Sequence, residues 1–197
     1  MKYFSSDFHD WHKNIIRYCN RPFGSVDDMH NTLVNNWNAI VKPEDEMYFL
    51  GDLGMSLSEK TIDDIFASLN CIKKVMCLGN HDLKNAKKFK HIFETVYDFG
   101  VTAEVEIMGN KYKMNHMPYV DAITKYDGRF AAESPKRTWG GERLLCGHVH
   151  NNVDWIFKDN MLNVGVDNWD FKPVSEIQIH EIFEKNEPIL RVKEEYK

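Results

Sequence analysis

Apolar residues along the first eighty positions fall into short runs and one-sided stripes that alternate with each other. Lys2 to Ser6 is short, aromatic and followed at once by polar residues, as a buried strand ending in a functional loop should be. Ser25 then reads as a helix N-cap, with Asp27 and Asp28 in the first turn. Met29, Leu33, Val34, Trp37 and Ile40 recur at helical spacing behind it. Met47 to Leu50 is a second apolar strand that runs into Gly51-Asp52-Leu53-Gly54. A helix is expected over about 58–69, capped by Ser58 and striped by Ile62, Ile65, Phe66 and Leu69. Ile72 to Leu78 forms a third strand, running into Gly79-Asn80-His81-Asp82. Each strand thus ends in Asp, Asn or His, at the carboxyl edge where open α/β sheets bind ligands.

The second half is richer in strands. Val101 to Ile107 and Lys111 to Asn115 flank Met108-Gly109-Asn110 as a hairpin. Leu144 to Cys146 leads into Gly147-His148-Val149-His150, and a further hairpin is expected around Lys158-Asp159-Asn160. From Ser175 two readings stay open: a helix opened by a Ser175/Gln178 capping box, or a strand through Ile177, Ile179 and Ile182. No repeat, linker or low-complexity stretch interrupts the chain, so one domain over 1–197 is expected.

Composition sharpens this. With 43% hydrophobic residues, twelve Phe, eight Tyr and five Trp, the chain can bury enough apolar surface to offset its ordering entropy. A net charge of −5 argues against long nucleic acid as the favoured partner and for a small substrate. Cys19, Cys71, Cys77 and Cys146 form no CxxC pair, which speaks against a cysteine-ligated zinc; reduced thiols are expected, with Cys71, Cys77 and Cys146 in the core. Without an apolar leader or a membrane-length run, the expected location is cytoplasmic.

Divalent metals of intermediate softness take imidazole nitrogen and carboxylate or carbonyl oxygen. Asp7-Phe8-His9, Gly51-Asp52, Gly79-Asn80-His81-Asp82, His116 and Gly147-His148-Val149-His150 supply those groups just after apolar strands. A lone Asp-x-His or Gly-Asp is weak evidence, Gly-Asn-His-Asp after a strand is stronger, and Gly-His-x-His after a strand is stronger again. In this order and combination, the chain resembles a calcineurin-like metallophosphoesterase of the small bacterial or phage type. The stretch Asn163-Val164-Gly165-Val166-Asp167 also resembles the segment that follows the last metal motif there.

The resemblance implies a four-layer α/β/β/α sandwich and a dinuclear metal site. Asp7, His9 and His150 match the ligands of one metal; Asn80, His116 and His148 match those of the other; Asp52 matches the carboxylate bridging both. His81 matches the histidine that protonates the leaving oxygen, with Asp82 orienting it. Two cations about 3.5–4 Å apart clamp phosphoryl oxygens and turn a bridging water into hydroxide near neutral pH. Manganese is the expected ion in vitro, with iron, nickel and zinc also fitting the donors. One departure stands out. The family often carries Gly-Asp-x-x-Asp, whereas Asp52 is followed here by Leu53-Gly54-Met55, leaving open what supports it.

The expected activity is hydrolysis of phosphoric esters, with a phosphodiesterase on a small or nucleotide-type substrate preferred over a nuclease or monoesterase. A non-catalytic docking module is the competing class, and retention of His81 argues against it. His12 and Arg21 are candidate substrate contacts, the second through its fit to phosphate. Trp139-Gly140-Gly141 and Tyr119 are aromatic candidates for which packing is the better reading, and Lys84, Lys87, Lys88 and Lys90 read as a solvated basic face. His30, His91 and His180 read as surface residues.

Overall fold

A computed structural model describes residues 1–55, 57–84, 86–123, 128–137 and 142–190. Trp139-Gly140-Gly141 lies outside the described residues. The first half builds a sheet in the order β10-β1-β2-β3-β4, where β1 is Lys2–Ser5, β2 Glu46–Phe49, β3 Lys73–Cys77, β4 Thr95–Tyr97 and β10 Val174–Ser175. The four strands β1 to β4 are parallel, and β10 is antiparallel to β1.

These strands read as continuous apolar runs because both faces of the sheet are covered. Tyr3, Met47, Phe49, Met76 and Leu78 point to one side, where they pack with Met29, Leu33 and Trp37 of α2 (Val26–Asn38) and Ile62, Ile65 and Phe66 of α3 (Glu59–Ser68). Phe4, Tyr48, Leu50, Val75 and Cys77 alternate to the other side and pack against a second sheet. Both helices start where their serines allow: Ser25 accepts from the Asp28 N–H and Ser58 from the Thr61 N–H.

The second sheet runs β11-β8-β9-β7-β6-β5, with β5 Ala103–Ile107, β6 Asn110–Met114, β7 Leu144–Cys146, β8 Trp155–Lys158, β9 Met161–Asn163 and β11 Ile189–Leu190. Its hairpins fall at 108–109 and 159–160, as the turn residues suggested, and β6, β7 and β9 are mutually parallel. Glu104 and Glu106 face solvent between Ala103, Val105 and Ile107, so β5 is covered on one face only. Beyond β7, Met117, Tyr119, Ile123, Cys146 and Met161 form a smaller apolar layer over the second sheet. The outer layer on this side is thin among the described residues, consisting of the single turn α4 (Val120–Ile123) and its flanking loops. The architecture is the α/β sandwich of the metallo-dependent phosphatases, with one helical face much heavier than the other.

The ambiguity at Ser175 resolves as helix α5, Glu176–Lys185, opened by a full capping box. Ser175 Oγ accepts from the Gln178 N–H, and Gln178 Oε1 accepts from the Ser175 N–H. The spacing that decides it is Ile179 to Phe183, one helical turn, with Phe183 meeting Tyr112 and Phe157 edge-on. Ile177, one of the three residues of the apparent strand, is exposed. Among the described residues no helix is long and apolar enough to cross a membrane.

Six strands, β1, β2 and β3 of one sheet and β6, β7 and β9 of the other, bring their carboxyl ends to one edge of the sandwich. A parallel bridge between Ser6 and Gly165 stitches the two sheets together there. Polar residues buried near that edge include Asp7, His9, Asp52, Asp82, His116 and His150.

Candidate metal centre

The loops leaving β1 and β2 run side by side. The N–H groups of Asp7, His9 and Asp10 donate to the carbonyls of Gly51, Asp52 and Leu53. This pairing holds Asp7 and His9 next to Asp52. All three have left-handed backbone (φ 59°, 47° and 57°), as do His148 (69°) and His150 (49°). Non-glycine residues occupy that region at a cost of roughly 1–3 kcal/mol each, and such strain concentrates at functional sites. Two glycines permit the crowding: a Cβ on Gly79 would collide with the Asp52 carboxylate, and one on Gly147 with Ser6 Oγ.

The side chains converge into donor groups whose atoms lie within 4.8 Å of one another, and two of these groups cover the sequence motifs. One comprises Asp7, His9 and His150; the other comprises Asp52, His116 and His148. Asn80 belongs with the second, since its Oδ1 lies 3.2 Å from His116 Nε2 and 3.0 Å from His148 Nδ1. Asp52 Oδ2 joins the two groups, lying 3.5 Å from His9 Nε2 and 3.4 Å from His116 Nε2. All seven residues read from the sequence as metal ligands are therefore brought together.

These residues fit a divalent cation. His9 Nε2 is buried without a hydrogen-bond partner, an orphan that a cation would satisfy. Burial holds the His9 ring well below its ordinary pKa, keeping it neutral and able to ligate. Burial also disfavours charge on His116, yet the Asp52 carboxylate carries that imidazole up to about 9. His150 is likewise raised, against burial, by Asp7 and Asp167. The negative charge that draws protons onto these rings is the charge a metal ion would neutralise.

Asp82 takes a different place from the one expected. Instead of orienting the His81 ring, its fully buried carboxylate accepts the N–H groups of Asp52 (2.6 Å), Gly79 (2.9 Å) and Leu53 (3.1 Å). Burial, aided by the nearby Asp52 charge, pushes it up to about 7. Asp82 thus ties the β2 and β3 loops together and supplies support for Asp52 that no acid after Leu53 provides. The His81 N–H donates to Asp52 Oδ1 at 2.9 Å, adding a second tie. The His81 ring is one-third exposed, with Nε2 4.0 Å from Asp52 Oδ2 and its centroid 5.0 Å from that of His9. By distance it falls in a donor group with His9 and Asp52, so proximity alone does not separate it from the ligands.

Of the two candidate substrate contacts, His12 stays beside the site, its ring 5.5 Å from that of His9 and 6.4 Å from that of His81. Arg21 does not reach outward. Its side chain is buried and forks onto Asp167 at 2.7 and 2.9 Å, while also donating to the carbonyls of Asp7 and Phe8. Asp167 Oδ2, which accepts from Arg21 Nη2, also meets His150 Nδ1 at 2.9 Å. Arg21 and His150 hold the Asp167 carboxylate well below its ordinary range despite burial. The chain Arg21–Asp167–His150 fixes the imidazole so that Nε2 faces Asp7, 3.7 Å away. Asp167 carried no assigned role in the sequence, because its partners lie 17 and 146 positions away. Also unread were Phe99 and Phe130, whose rings stand 6.4 Å from His116 and 5.6 Å from His148. Tyr119 is core, its hydroxyl donating to the Glu142 carbonyl, and His30 is bonded to Asp10 rather than free at the surface.

Asp167→Asn keeps the shape and removes the charge. A buried pair broken on one side costs about 3–5 kcal/mol, and loss of a carboxylate behind a ligating histidine costs about 10–100-fold in metal affinity. Both a lower melting temperature and weaker manganese binding are expected; unchanged metal affinity in a folded variant would remove Asp167 from the site.

A curated protein of Methanocaldococcus jannaschii, described as uncharacterized, is 35% identical over 193 residues, covering 95% of this chain and 93% of its own. The Gene 66 protein of Mycobacterium phage L5 is 25% identical over 187 residues, covering 85% and 86%. A crystal structure of a protein of unknown function from Aquifex aeolicus superposes with a TM-score of 0.68 at 26% identity, covering 92% of this chain and 98% of that one. Residues 3–181 match the calcineurin-like phosphoesterase family as a whole, and the chain belongs to that family.

Proposed function

We propose that the chain is a metal-dependent phosphodiesterase with a dinuclear centre, acting on a small or nucleotide-type substrate. The observation that carries this reading is Asp52 Oδ2, within 3.5 Å of an imidazole from each donor group. A carboxylate placed there would be within reach of a cation held by either group. Asp7, His9 and His150 would hold one divalent ion, and Asn80, His116 and His148 the other, with manganese the expected metal in vitro. Such a pair supplies Lewis acidity at the phosphoryl oxygens and activates water near neutral pH.

The remaining work falls to the chain. The buried carboxylates and their backbone ties keep the donors in place without reorganisation. His81, partly exposed beside Asp52, is positioned to hand a proton to the departing ester oxygen, and imidazole suits that task near neutrality. The absent basic surplus favours a small diester over long nucleic acid. A panel of bis(p-nitrophenyl) phosphate, p-nitrophenyl phosphate, a cyclic nucleotide and single-stranded DNA, with added manganese, tests the reading. Diester turnover well above monoester and DNA turnover is expected. Preference for the monoester or for DNA would replace the substrate class, and metal binding without any turnover would favour a docking module.

A further inference from the structure

The paired loops that carry Asp7, His9 and Asp52 continue past the metal centre to Trp11 and Met55, and a groove of about 500 Å³ opens there. That volume lies within the range of small-molecule sites. Trp11 is two residues from His9, so their Cα atoms are at most about 7 Å apart. Trp11 and Met55 are the exposed apolar members of the groove (40% and 43%), while Leu57 and Ile65 form its buried floor. Trp11 is also backbone-strained: at φ 61° a bulky aromatic occupies the left-handed region, held by its N–H to Asp10 Oδ1. Its indole lies over the His30 ring, centroids 5.2 Å apart and planes tilted by 32°, and His30 is in turn bonded to Asp10. One indole face is therefore backed and the side chain remains open to the groove.

Charge narrows the occupant. No lysine or arginine lines the groove among the described residues, and its one lining carboxylate, Asp64, is paired with Lys60. The polar members that remain are already engaged, His30 with Asp10 and Ser58 with Thr61, so the lining favours an uncharged group over a second phosphate. An uncharged planar ring would gain stacking on the indole and apolar contact with Met55. We infer that this groove binds the nucleobase of a nucleotide ester, stacked on Trp11, while the phosphoryl group sits at the metal centre. The inference rests on the phosphoesterase reading for the placement of phosphate and adds the class of the attached group.

The test is calorimetric binding of adenosine 5′-monophosphate, ribose 5-phosphate and inorganic phosphate to the manganese-loaded protein and to Trp11→Ala and Trp11→Phe. Wild type should bind adenosine 5′-monophosphate about tenfold or more tightly than ribose 5-phosphate. Trp11→Ala should erase that difference, and Trp11→Phe should retain most of it, with manganese content unchanged in both. Equal affinity for the two ligands in wild type, or a difference that persists in Trp11→Ala, overturns the groove assignment. If Trp11→Ala lowers only the melting temperature, the indole merely shields the Asp10–His30 pair. Diester hydrolysis by the wild type distinguishes the two claims: turnover without base discrimination removes the groove alone, whereas base discrimination without turnover removes the hydrolase reading alone.

Discussion

Asp52→Asn is expected to lower diester turnover by roughly 10³–10⁴, because metal electrostatics at a reacting phosphoryl group are worth several kcal/mol. The amide keeps the outline of the side chain, and its oxygen can still accept the His81 N–H that Asp52 Oδ1 now accepts. What it removes is the negative charge shared between His9 and His116. If Asp52 serves both groups as proposed, both metal affinities should fall together in a titration of the metal-free protein. Wild-type affinity at either site, or turnover within tenfold of wild type, would mean that Asp52 is not shared. Thermal melting of the metal-free variant checks that the loops held by Asp82 remain folded.

His81→Ala should show the opposite split. Its ring is close enough to Asp52 and His9 to ligate, yet one-third exposed, so the two roles must be separated by experiment. As a proton donor it contributes about 10²–10⁴ in rate and nothing to metal content. The expected variant therefore binds wild-type manganese and loses turnover by that factor. The loss should shrink for esters whose leaving group needs no proton, such as p-nitrophenolate. A variant that loses one ion instead would make His81 a ligand. Full activity with full metal content would leave it without a role.

The donors were legible because each sits immediately after an apolar strand, where a loop residue must point out of the sheet edge. Gly79 and Gly147 strengthened the signal, since their motifs need backbone approach that no Cβ allows. The strands β1 to β3 were readable because burial on two faces leaves little room for polar residues, and β5 because its apolar residues alternate with Glu104 and Glu106. The short elements were not. β4, β10 and β11 have two or three residues each, and α1 (Lys13–Tyr18) buries only Ile15, so neither periodicity nor length marks them.

The support of the site was harder to read than the site. The family resemblance implied that Asp82 orients the His81 imidazole, but its carboxylate turns to three backbone N–H groups. Arg21 has the chemistry of a phosphate contact, and only the fold shows that Asp167 and two carbonyls take its donors. The first pairing depends on β2 lying beside β3 and the second on the segment after β9 returning to the loop after β1, neither of which residue type and local spacing encode.

The most direct measurement is the rate of bis(p-nitrophenyl) phosphate hydrolysis as manganese is added to chelator-stripped protein. With two ions sharing Asp52, activity should be absent without metal and rise to a plateau at two equivalents per chain. A plateau at one equivalent, or hydrolysis indifferent to metal, would contradict the dinuclear centre.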